Sequence, residues 1–123
     1  MFSQSPLGAW ERYFQDENGT EIRSVVIFSE KFQSIAMFNG KSGEFIYSNG
    51  GTWELNGNMM TEVVEFDTAN SERVGNVVTF EVNITNDKLT KKQNTQNRSD
   101  IERIESYKYY STLNSAQQNL SLI

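Results

Sequence analysis

Asparagine and glycine stand side by side repeatedly along this chain, at Asn18-Gly19, Asn39-Gly40, Asn49-Gly50-Gly51 and Asn56-Gly57-Asn58. Both residues tolerate the left-handed backbone that a two-residue hairpin turn requires, and the runs between them are rich in Val, Ile, Phe, Tyr and Thr. A chain punctuated in this way is written for short antiparallel strands joined by tight turns.

The runs predict strands over residues 7–15, 22–29 and 32–38. Two shorter strands, 45–47 and 52–55, flank Asn49-Gly50-Gly51, and further strands cover 59–66, 77–84 and 88–92. Period-two alternation sorts their faces. Trp10, Arg12 and Phe14 share one side of the first strand. Phe32, Ser34, Ala36 and Phe38 oppose Ile35 and Met37. Met60, Glu62, Val64 and Phe66 lie together, as do Val78, Phe80, Val82 and Ile84. Residues 93–100 have no apolar anchor and read as a mobile loop. Residues 101–110 fit a helix through Ile101, Ile104 and Lys108, or a strand through Arg103, Glu105, Tyr107 and Tyr109. The all-β context favours a closing strand. Leu113, Ala116, Leu120 and Ile123 are spaced for a short C-terminal helix or a frayed tail.

With 123 residues the chain suits one domain, here 1–110, followed by a tail of 111–123. About eight short strands in so small a domain must hide their edges, and hairpin-length turns favour an up-and-down antiparallel β-barrel over a two-sheet sandwich. Eight strands enclose an interior that side chains fill or that holds one small ligand.

The chain has no histidine and no cysteine. That removes disulfides, the usual zinc and haem ligands, histidine-containing triads and thiol nucleophiles, so neither a cofactor nor an enzymatic activity is expected. A net charge of −5 repels phosphate backbones, and nucleic acid is not an expected partner. No apolar stretch reaches membrane-spanning length. The residues at the N-terminus resemble a mature end beyond a cleavage site, which implies a periplasmic or secreted protein if a signal was removed and a cytoplasmic one otherwise.

Leu7-Gly8-Ala9-Trp10-Glu11 resembles the Gly-x-Trp signature of lipocalins. It is followed in order by Val26-Ile27-Phe28-Ser29 to Phe32, by Gly50-Gly51-Thr52-Trp53-Glu54-Leu55-Asn56-Gly57-Asn58 and by Thr61-Glu62-Val63-Val64-Glu65-Phe66. Over residues 7–110 this succession is similar to small bacterial lipocalin-like, calycin-type β-barrels, a group without an assigned ligand, many of them exported. The resemblance implies that Trp10 plugs one end of the barrel under a cation from the last strand, here Arg103 or Lys108.

If Trp10 faces inward, so do Arg12 and Phe14, and a guanidinium inside an apolar barrel needs a carboxylate or a ligand anion. Glu62 is the expected partner. The pair either fixes strand register or anchors the polar group of a ligand. Phe28, Phe32, Phe38, Trp53, Phe66 and Phe80 are candidates to line the cavity, though aromatics at strand spacing also make ordinary core. Glu62 and Glu65, three apart on a strand, point to opposite faces and cannot flank one bond. The expected function is therefore a binding protein for a small hydrophobic or amphipathic ligand, monomeric or homodimeric. The alternative is a filled barrel that contacts a protein partner, and a minor one is an acid-base enzyme working without histidine or cysteine.

Overall fold

The computed structural model describes residues 5–93 and 104–110. Eight strands follow one another: β1 Gly8–Gln15, β2 Glu21–Phe28, β3 Phe32–Asn39, β4 Phe45–Asn56, β5 Met59–Asp67, β6 Val77–Thr85, β7 Lys88–Gln93 and β8 Ile104–Tyr110. Each pairs antiparallel with the next, and β8 pairs back onto β1, closing an up-and-down barrel. Closure removes most of the free sheet edge that would otherwise template aggregation. The ambiguous segment is thus a strand from Ile104 onward. Gln93 ends β7, and the expected loop over 94–100 and the tail over 111–123 lie outside the described residues.

One correction concerns β4. Instead of two short strands around a glycine turn, it is a single strand of 12 residues, and Gly50 and Gly51 lie within it. The register with β5 slips between them, leaving Glu65 as an extra residue on β5. A β-bulge absorbs such an insertion, and glycine permits the close backbone approach it brings. The true turns lie elsewhere, including Gly57 at φ 64° and Asn86 at φ 55°.

Register defines the inner face. Trp10 sits beside Val26 and Val26 beside Ile35, and Trp53 pairs with Glu62 and Met60 with Phe80. At the end formed by the β2–β3, β4–β5 and β6–β7 turns, Trp10, Val26, Phe28, Met60, Val82, Leu89 and Tyr107 form a buried apolar base. The Phe28 and Trp53 rings meet edge to face at 5.5 Å. Toward the opposite end the inner face becomes polar, with Arg12, Ser24, Glu62, Lys91 and Glu105; Arg12 lies opposite Ser24 and Lys91 opposite Glu105.

Three aromatics expected inside are outside. On β3 the inward residues are Gln33, Ile35 and Met37, so Phe38 faces out, where its ring meets Phe45 at 6.0 Å and the Arg23 guanidinium at 5.7 Å. Phe32 shares that outer face and is exposed. Phe66 is turned out by the Glu65 bulge and lies over Gly50, where a Cβ would come within 2.8 Å of its ring. The slip instead points Asp67 inward.

Candidate functional site

Trp10 closes the apolar end. Its indole Nε1 donates to the Pro6 carbonyl at 2.8 Å, which draws the N-terminal segment across the base. The residue covering it is Tyr109, edge-on at 5.1 Å, rather than a cation. Gly8, at φ 119°, gives that ring its room, because a Cβ there would lie 2.9 Å from it. Lys108 is exposed on the outer face and Arg103 lies outside the described residues. The expected cation over Trp10 is thus replaced, among the described residues, by an aromatic ring.

Above this base stand two interior ion pairs, and neither is the one expected. Glu62 binds Lys91 at 2.9 Å, with side chains 10% and 7% exposed. The Lys91 stem reaches from β7 across β6 to β5, and its ammonium lies 4.0 Å from the centre of the Phe80 ring and 6.0 Å from that of Phe28. A cation on an aromatic face gains attraction where water is scarce, and the carboxylate supplies the charge that makes its burial tolerable. Lys91 escaped the sequence reading because it stands in a basic run. Its signal was the shared face with Leu89, a side chain that must be buried.

Arg12 pairs with Glu105 of β8, its Nη2 3.4 Å from a carboxylate oxygen. This is longer than the ~2.7–2.9 Å of a strong charge-assisted hydrogen bond. The guanidinium lies over the Phe14 ring, its carbon 4.0 Å from the ring centre, and 5.6 Å from that of Tyr107. Its Nε is shielded from solvent and has no hydrogen-bond partner among the described residues. Leaving a buried donor unsatisfied costs about 1–3 kcal/mol. Arg12 is therefore held in a geometry that leaves one donor unanswered among the described residues, opposite the equally unpartnered Ser24 hydroxyl.

Tyr107, almost fully buried, donates to Glu105 at 3.3 Å. Burial first and the neighbouring Glu105 carboxylate second push its phenol well above the ordinary tyrosine range, so it remains a neutral donor. Burial likewise raises the Tyr47 phenol. Asp67 serves the loop that follows β5, accepting from the Ala69 and Asn70 amides at 2.9 and 2.8 Å, with Arg73 at 3.7 Å.

Of the expected site residues, the structure gathers Trp10, Phe28, Trp53 and Phe80 around the apolar base. Arg12, Phe14 and Glu62 stand in the polar layer above it. Phe32, Phe38 and Phe66 are excluded. Lys91, Glu105 and Tyr107 complete the layer. Among the described residues no group of three or more His, Cys, Asp or Glu side chains is placed to hold a metal ion, and no helix is long and apolar enough to cross a membrane. No protein-family model matches the chain, and no curated protein is significantly similar to it.

Proposed function

We propose that this barrel binds a small amphipathic molecule, with the polar group of the ligand on Arg12 and its apolar part against Phe14, Tyr107 and Phe80. The observation that carries this reading is the Arg12 guanidinium. It lies inside the barrel with an unanswered Nε donor, stacked on one aromatic ring, with a second nearby. Specific small-molecule sites combine mostly apolar walls with a few placed polar groups in this manner. The apolar base is already filled by its own side chains, so the ligand is compact and sits in the upper, polar half of the interior.

The test is fluorescence titration with N-phenyl-1-naphthylamine and with its sulfonated relative 8-anilinonaphthalene-1-sulfonate. At least one of the two is expected to bind saturably at one site per chain, with energy transfer from the tryptophans. Phe32→Ser and Phe66→Ser, on the outer face, should leave that binding unchanged. Binding of neither probe, or binding abolished by the outer-face variants, would overturn the reading.

A second reading draws support from the outer surface. Ile27, Phe32, Phe66 and Val77 are all about half exposed on the outside of β2 to β6. A run of apolar residues there suits contact with another protein. Loss of probe binding in the outer-face variants would favour it.

A further inference from the structure

The β1–β8 seam differs from every other seam of the barrel. Whereas β1 pairs with β2 along its whole length, it pairs with β8 only at Ala9, Trp10 and Glu11, opposite Tyr110, Tyr109 and Lys108. From Arg12 to Gln15 on one side and from Ile104 to Tyr107 on the other, no residues are paired across the seam. What spans it just past the last backbone pair is a side-chain contact, the 3.4 Å Arg12–Glu105 ion pair. An open depression of about 570 Å³ lies over this stretch, and its walls include both the outward-facing Glu11, Tyr13, Lys88 and Lys108 and the inward-facing Arg12 and Tyr107.

What favours an anion at the gap is the Arg12 guanidinium on its inner side, since the outer rim is mixed in charge. Lys88 and Lys108 are direct cross-strand neighbours on the outer face. Like charges placed opposite one another are mutually unfavourable unless something negative lies between or beside them. Glu11, opposite Lys108, is engaged with Arg23 at 2.6 Å, and Asp87 directly precedes Lys88 on the same rim. The outer rim of the gap thus carries two lysines and two carboxylates, Glu11 and Asp87, while the inner side presents a guanidinium with a spare donor. Glu105 has a one-third exposed side chain, so it can leave Arg12 for water without being stranded.

From these features, and resting on the binding reading above, we propose that the ligand is a compact amphipathic anion that reaches Arg12 sideways, between β1 and β8, and displaces Glu105 from the guanidinium. A carboxylate or sulfonate meets the Nε and Nη2 donors together, which Glu105 on Nη2 alone does not. Phe14 and Tyr107 flank the apolar portion. The Arg12–Glu105 pair then acts as a latch on the seam, opened by the ligand that replaces it.

The two naphthyl probes differ by one sulfonate and report on the charge preference. The sulfonated probe is expected to bind at least about tenfold more tightly than the neutral one, and Arg12→Met should erase that difference. The route is tested by stapling the seam. Tyr13→Cys with Ser106→Cys places the only two thiols of the chain where continued pairing would set them opposite each other. They are closed as a disulfide or, across a wider gap, with a short bismaleimide. Stopped-flow association and dissociation of the sulfonated probe should both slow by about tenfold or more in the stapled protein, as expected when a gating motion is blocked. Releasing the disulfide should restore them, and a control staple at Thr61→Cys with Thr79→Cys on the fully paired β5–β6 seam should leave both rates unchanged. Unaltered rates in the stapled seam, or equal affinity for the two probes, would overturn this inference while leaving interior binding intact. Failure of the parent protein to bind either probe would overturn both.

Discussion

Gly51→Ala is expected to abolish the cooperative fold or to lower its stability by about 3–5 kcal/mol, a large share of what a domain of this size has. The Cβ would land on the Val63 carbonyl oxygen, with the Glu65 amide nitrogen 2.8 Å away and the Val63 carbonyl carbon at 2.9 Å. All of these are backbone atoms of the bulged partner strand, so no rotamer change relieves the clash. The bulge must unwind, and with it the slip that turns Phe66 out and Asp67 in. Gly19→Ala is the matched control. It has open space around its Cβ and only an unfavourable φ of 78° to tolerate, a penalty of about 1–2 kcal/mol. Urea unfolding followed by circular dichroism compares the two. A Gly51→Ala midpoint no lower than that of Gly19→Ala would show that β4 and β5 do not approach as described.

Glu62→Leu is expected to destabilise the barrel by about 3–5 kcal/mol, because it strands the Lys91 ammonium in the interior without its carboxylate. Adding Lys91→Met should recover most of that loss, since a methionine can pack among Phe28, Phe80 and Val82 with no charge to solvate. The prediction is thus a large non-additive coupling, read from denaturant midpoints of the two single variants and the double variant. If the double variant were as unstable as the sum of the singles, the 2.9 Å pair would not be the reason that Glu62 is buried.

Both predictions rest on features that the sequence signalled unevenly. Turn punctuation and alternation were sufficient for the barrel, for the inward face of β1 and for most of β5 and β6, because in those strands one face is plainly more apolar than the other. They were insufficient on β3, where both faces carry large apolar groups. There the register with β2 decides, setting Met37 opposite the fully buried Ser24 and turning Phe38 outward. The outward turn of Phe66 depends on a bulge whose sign in the sequence is Gly50-Gly51. Two adjacent glycines inside a strand-like run mark close backbone approach as readily as they mark a turn.

The polar layer shows a different kind of gap. Alternation placed Arg12 and Glu62 inside but says nothing about which strands are neighbours. Lys91 reaches Glu62 because a single strand, β6, lies between theirs, and Glu105 meets Arg12 only because β8 closes onto β1. Had closure been applied to the alternating Glu105, Tyr107 and Tyr109, the carboxylate opposite Arg12 would have followed. The open stretch of the seam has no sequence signal that we can identify. It arises from where the pairing of two otherwise ordinary strands ends.

The most direct measurement of the central claim is native mass spectrometry of the protein purified gently from its own host, repeated after extraction with organic solvent. We expect a discrete excess mass, stoichiometric with the chain and removed by extraction, from a compact molecule bearing one acidic group. A clean ligand-free mass before and after extraction, whether of one chain or of two, would contradict it and turn attention to the outer apolar face.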